Sequence, residues 1–125
     1  METTVAKDVQ ITGIDIATYL VKDPNRAVAF WRDKMGLKPT HLFEDRGAEF
    51  ELPDGSAFGL WKMDDGSWSP GNGIMFAVAD IQQAIDHYRG RGVKIEGPEE
   101  TPVCHMAFGE DSEGNNFILH QRKEN

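Results

Sequence analysis

The chain repeats itself. The segment Val21-Lys22-Asp23-Pro24-Asn25-Arg26-Ala27-Val28-Ala29-Phe30-Trp31-Arg32 returns as Val78-Ala79-Asp80-Ile81-Gln82-Gln83-Ala84-Ile85-Asp86-His87-Tyr88-Arg89, with Val, Asp, Ala, an aliphatic, an aromatic and Arg in the same order at a constant offset of 57. Each copy then reaches a glycine, an aliphatic and a lysine, Gly36-Leu37-Lys38 and Gly92-Val93-Lys94. Further on, Asp54-Gly55 with Phe58 and Leu60 matches Glu113-Gly114 with Phe117 and Leu119 at an offset of 59. A repeat of this period means two copies of one supersecondary unit. In 125 residues, two such units share a single compact domain over 1–125.

Each copy predicts a strand, a helix and three further strands. The first strands are Ile11 to Val21 and Gly73 to Val78. Asp23 and Asp80 then stand where a helix N-cap belongs, and Pro24 suits the first helical position. Apolar stripes, Ala27, Phe30 and Trp31 in one copy and Ile81, Ala84, Ile85 and Tyr88 in the other, predict helices over 24–35 and 81–91. Gly36 and Gly92 supply their C-terminal caps. Strands are expected at about 38–45, 48–52 and 57–62, and again at 94–96, 103–109 and 116–121, with hairpin turns at Pro53-Asp54-Gly55 and Ser112-Glu113-Gly114-Asn115. The chain is thus α+β, two βαβββ modules at about 11–63 and 73–123 joined by a Gly, Ser, Asp and Pro-rich linker at 64–72. Trp68 is out of character for a linker, and either covers a core edge or serves as a lid over a pocket.

Charge narrows the partners. Lys plus Arg number 13 and Asp plus Glu 21, a formal net charge of −8, which opposes a phosphate backbone and favours cations. No apolar stretch is long enough to span a bilayer, and Met1 to Lys7 carries no apolar signal core. The single cysteine, Cys104, forms no internal disulfide, which fits a reducing cytoplasm.

The paired βαβββ units resemble the vicinal oxygen chelate superfamily, the glyoxalase/bleomycin-resistance/dioxygenase proteins. The resemblance rests on Val21-Lys22-Asp23 leading to Ala29-Phe30-Trp31-Arg32 and Gly36-Leu37, and on Phe108 to Leu119 with Asp111-Ser112-Glu113-Gly114-Asn115. It implies an open, curved, eight-stranded mixed sheet with helices on the convex face, a ligand on the concave face and, commonly, a homodimer. It also implies a divalent metal held by His, Glu or Gln from the first and fourth strand of each unit. Carried over position by position, those places fall on Ile16, Gly59, Gly73 and Ile118. None has a side-chain lone pair to give a metal. The expectation is therefore no metal and no other cofactor, which argues against the family's Lewis-acid chemistry.

Strand alternation assigns the faces. The face of Ile16 carries Ile14, Thr18 and Leu20; that of Gly59 carries Ala57 and Trp61; that of Gly73 carries Met75 and Ala77; that of Ile118 carries Asn116 and His120. Phe58, Leu60, Phe76, Val78, Phe117 and Leu119 fall on the other side, under the helices, as does Tyr19. Setting Phe108 against Phe50 as a core position sends Cys104 and Met106 inward, and His105 and Ala107 toward the ligand face with Glu49 and Glu51. His41 and His87 read as surface residues.

The candidate ligand-binding set is Trp61, His120, Glu49, His105, Thr18, Met75, Trp68 and Asn116. Trp61 suits stacking on a flat ring or a cation. Small residues at 57, 59, 73 and 77 would leave room for a ligand, or equally let strands pack closely. The leading expectation is a small-molecule binder, not an enzyme, taking an aromatic or cationic molecule. The alternative is a lyase, isomerase or dioxygenase-type enzyme using Glu49, His105 and His120 as a displaced metal site or as acid and base. A non-catalytic module with a filled cup is the third possibility.

Overall fold

The computed structural model describes residues 9–124. The element order is the expected one: β1 (Ala17–Leu20), α1 (Pro24–Ala29), a π-helical turn (Phe30–Lys34), β2 (Pro39–Phe43), β3 (Gly47–Glu51), β4 (Ala57–Trp61), β5 (Ile74–Ala77), α2 (Ile81–Gly90), β6 (Lys94–Glu100), β7 (Cys104–Glu110) and β8 (Asn116–Arg122). The eight strands form two open, mixed, four-stranded sheets of order β1-β4-β3-β2 and β5-β8-β7-β6. In each, the strand before the helix pairs in parallel with the last strand of its module.

Local chemistry places the helices as anticipated. Asp23 Oδ1 accepts from the Arg26 N–H at 3.1 Å, and Asp80 Oδ1 from the Gln83 N–H at 2.9 Å. These bonds satisfy donors that a helix start leaves without partners. The first helix departs from expectation. After Ala29 it widens into the π turn, closed by the Met35 N–H on the Phe30 carbonyl at 3.2 Å. The wider turn holds Phe30 and Trp31 both buried, their rings edge to face at 5.6 Å. The first strand is also shorter than expected, because its partner β4 begins at Ala57 and residues 11–16 have nothing to pair with. Ile11 and Ile14 are fully exposed as a result.

The repeat survives in the register. Tyr19 pairs with Leu60, and their counterparts Phe76 and Leu119 pair likewise. These residues face the helices, α1 lying on β3 and β4 and α2 on β6, β7 and β8. Both modules feed one apolar core. Its hub is Trp31, whose ring centroid lies 4.7 Å from that of Phe58, 5.0 Å from Phe117 and 5.3 Å from Phe76.

The seam between modules is polar as well as aromatic. The Trp31 indole N–H donates to Asp111 Oδ2 at 3.1 Å. The Glu113 carboxylate accepts from the backbone N–H of Lys22 and Asp23 and from the Arg26 guanidinium. The Tyr19 hydroxyl donates to the Asn116 carbonyl at 2.6 Å and accepts from the Ile74 N–H at 3.3 Å, bridging β5 and β8 where their ladder begins. Among the described residues no helix is long and apolar enough to cross a membrane.

Candidate functional site

Each sheet has one face under a helix and one face free of helices. On the free face of the first sheet, Thr18, Gly59, Glu49 and His41 form one row across β1, β4, β3 and β2. The next row is Leu20, Trp61, Gly47 and Phe43. Gly47 lacks a side chain beside Trp61, and the Trp61 ring meets Phe43 edge to face at 5.6 Å. Trp61 is 37% exposed, Phe43 42% and Leu20 38%. In the second sheet the matching rows are Met75, Ile118, Phe108 and Glu96, then Ala77, His120, Met106 and Glu99. The free faces therefore carry open aromatic and aliphatic surface interleaved with carboxylates, a chemistry suited to rings and cations.

Of the expected site residues, Thr18, Trp61, Glu49, Met75, Asn116 and His120 all lie on the free faces. His105 does not. Met106 pairs with His120, Phe108 with Ile118 and Glu110 with Asn116, so the even-numbered residues of β7 share the free face. Ala107 is fully buried in the core and Phe108 is 36% exposed, the reverse of the expected facing. His105 turns to the helix side, opposite Glu100 and Gln121.

The difference is one residue: Phe108 and Phe50 lie at an offset of 58, whereas β3 and β7 keep the 59 of β4 and β8. The true counterpart of Phe50 is Gly109, paired with Phe117 as Phe50 is with Phe58. A Cβ on Gly109 would lie 2.3 Å from Phe117 Cζ, so the Phe117 ring crowds the place where a side chain would begin. A shift of one residue turns a whole strand over. In the sequence it is Ala48 and Ala107, both buried, that carry the offset of 59. Glu49, His105 and His120 are consequently not brought together. His41, read only as a surface residue, sits beside Glu49 on the free face.

The four positions where the resemblance implies a metal do not fit one. A Cβ on Gly59 would lie 2.8 Å from Ile16 Cδ1 and 3.2 Å from Thr18 Oγ1, so Ile16 hydrocarbon fills that place. Gly73 precedes β5 in an exposed loop, and Ile118 packs in the row of Met75 and Phe108. Among the described residues no group of three or more His, Cys, Asp or Glu side chains is placed to hold a metal ion.

Trp68 is half-buried in the linker, with its indole N–H enclosed and unpaired. The linker is tied down by Gly71, whose N–H donates to Asn115 Oδ1 and whose carbonyl accepts from the Asn116 N–H. Cys104 is buried, but it shares the free face with the other even-numbered residues of β7 and does not point inward as expected; its thiol lies 3.0 Å from the Thr101 hydroxyl. The Lys123 ammonium holds the Glu100 carboxyl below the usual carboxylate range, and the charge of His105 adds to the effect.

The comparisons agree with this architecture. A family model described as the Glyoxalase/Bleomycin resistance protein/Dioxygenase superfamily matches residues 13–119. No curated protein matches the sequence significantly. Among solved structures, an antibiotic binding protein from Streptomyces sp. CB03234 is 20% identical with a TM-score of 0.75, covering 90% of this chain and 98% of its own. A lactoylglutathione lyase from Agrobacterium tumefaciens is 16% identical with a TM-score of 0.75, covering 89% and 94%. A superfamily member from Sphaerobacter thermophilus is 24% identical with a TM-score of 0.73, covering 89% and 98%. At these identities the likeness is one of fold.

Proposed function

The chain belongs to the glyoxalase/bleomycin resistance protein/dioxygenase superfamily, and on that premise we propose that it is a metal-independent binder of a small aromatic or cationic molecule. The ligand would lie against the helix-free sheet faces. One observation carries the reading. Hydrocarbon and bare backbone occupy the places implied for metal ligands, while Trp61, Phe43 and Phe108 stand open beside carboxylates. Stacking on Trp61 would hold a flat ring, and Glu49 in the adjoining row would attract positive charge. Thr18, Met75, Asn116, His120 and the linker's Trp68 would complete the contacts. A structural neighbour described as antibiotic binding has the same fold, which is in keeping with binding as a use of it.

The same reading includes a homodimer, in which a second copy covers the free apolar faces. It also includes a reducing cytoplasm, in keeping with a lone buried thiol, and no nucleic-acid partner, in keeping with a net charge of −8.

Titration with proflavine, a flat aromatic cation, tests the reading. Saturable binding is expected, weakened about tenfold by Trp61→Ala and unchanged by a chelator. Absence of saturation, or binding that a chelator abolishes, would refute it.

A further inference from the structure

A separate cavity opens between the modules, on the way from the unpaired edges of β1 and β5 to the hub of the core. Its volume is about 580 Å³, within the range usual for small-molecule sites. Trp31, Phe58 and Leu119, each almost wholly buried, form its floor, and Met35 and Tyr88 contribute to its walls. Ala17, Ala57 and Ala77 also line it, and their small side chains keep it wide.

The polar groups near the floor are already engaged. The Trp31 N–H is given to Asp111, and the Tyr88 hydroxyl lies 3.4 Å from the Met35 carbonyl. Above that closed floor the open wall is the half-buried hydrocarbon of Leu37, Leu52, Ile74 and Val78, which holds water poorly and favours apolar groups. The rim differs. Its charged residues are Asp15 and Asp54, both exposed, and among the described residues no Lys, Arg or His lines the cavity. The Ser56 hydroxyl and N–H hold the Asp54 carboxyl below the usual carboxylate range, so it is anionic at neutral pH.

We propose that this cavity is a binding site for amphiphilic amines, with the hydrocarbon or aryl group among Leu37, Leu52, Ile74 and Val78, above the buried Trp31, and the ammonium at the Asp15 and Asp54 rim. The site goes beyond the sheet-face reading, which centres on Trp61, although Ala57, Met75 and Ala77 border both.

The experiment uses 4-phenylbutylamine and 4-phenylbutyrate, which share a hydrocarbon and differ in charge. Replacing Trp61 and Trp68 by Phe leaves Trp31 as the sole indole of the chain's three. Its emission then reports the cavity, and calorimetry on the unsubstituted protein gives the affinities. The amine is expected to shift Trp31 emission saturably and to bind about tenfold more tightly than the carboxylate. Asp15→Asn with Asp54→Asn should erase that preference. Ala77→Phe, at an exposed position, should weaken the amine about tenfold or more by blocking the cavity, with Ala57→Leu as a second blocking variant. An unchanged thermal midpoint shows that each variant folds. Equal binding of amine and carboxylate, or amine binding that both blocking variants leave intact, would overturn the proposal. If Trp61→Ala abolishes amine binding while Ala77→Phe does not, the ligand lies on the sheet face: this proposal falls and the sheet-face reading stands.

Discussion

Single atoms hold the two modules together. The Tyr19 hydroxyl joins Ile74 to Asn116, and burial raises its pKa above the ordinary value of 10.0, with the nearby Asp111 charge adding to the effect against the lowering by the Ile74 N–H. A raised folded-state pKa gives stability that is fully present below the unfolded value and lost as pH rises toward and through the folded one. Tyr19→Phe should therefore cost about 1–2 kcal/mol at neutral pH, from two unpaired backbone groups. It should also flatten the fall of stability above about pH 10, with Tyr88, raised by burial too, supplying what decline remains. Denaturant melts across pH check both effects. Glu113 acts at the same scale. Its side chain is completely buried against Lys22, Asp23 and the half-exposed Arg26. Glu113→Gln replaces an acceptor oxygen with a donor facing other donors, and should lower stability by about 2 kcal/mol. Chemical denaturation should show the loss, and Arg26→Ala alone should cost less, because the two backbone bonds to Glu113 survive it.

At the scale of the element, local signals and distant partners separate. Helices announced themselves through Asp caps and apolar stripes, since both signals are local. The Asp111 to Asn115 turn was recognised as a turn, but its polar composition gave no sign that Asp111, Glu113 and Asn115 would be buried. Their partners, Trp31, Arg26 and Gly71, lie 44 to 87 residues away. In strand β7, Phe50 and Phe108 look equivalent in the sequence, and the hairpin register turns the strand the other way. That register makes its own prediction. Gly109→Ala sets a methyl within 2.3 Å of a Phe117 atom in a fully buried ring that has no room to retreat. A loss of about 1–3 kcal/mol is expected from overpacking, measurable as a lowered midpoint. An Ala at the exposed Gly90, where a Cβ meets nothing within 4 Å, should be harmless or slightly stabilising.

For the whole molecule, the helix-free faces are the outstanding feature. Leu20, Phe43, Trp61, Met75 and Phe108 present apolar surface on both sheets, more than scattered exposure in a monomer accounts for. Sedimentation should find a dimer at micromolar concentration. Met75→Lys, which puts a charge on an exposed row without touching the core, should shift the equilibrium toward monomer at least tenfold. A monodisperse monomer in the unsubstituted protein would remove the homodimer from the functional reading.

The repeat, the caps and the alternation of apolar residues determined the two modules, their element order and which side of β1, β4, β5 and β8 meets the helices. These depend on contacts between neighbours or on a period that a linear text preserves. The facing of β7, the burial of Glu113, the pairing of His41 with Glu49 and the cavity above Trp31 were decided in three dimensions. Each depends on which distant residue arrives opposite, and a one-residue difference in a turn costs little in sequence yet inverts every side chain of a strand.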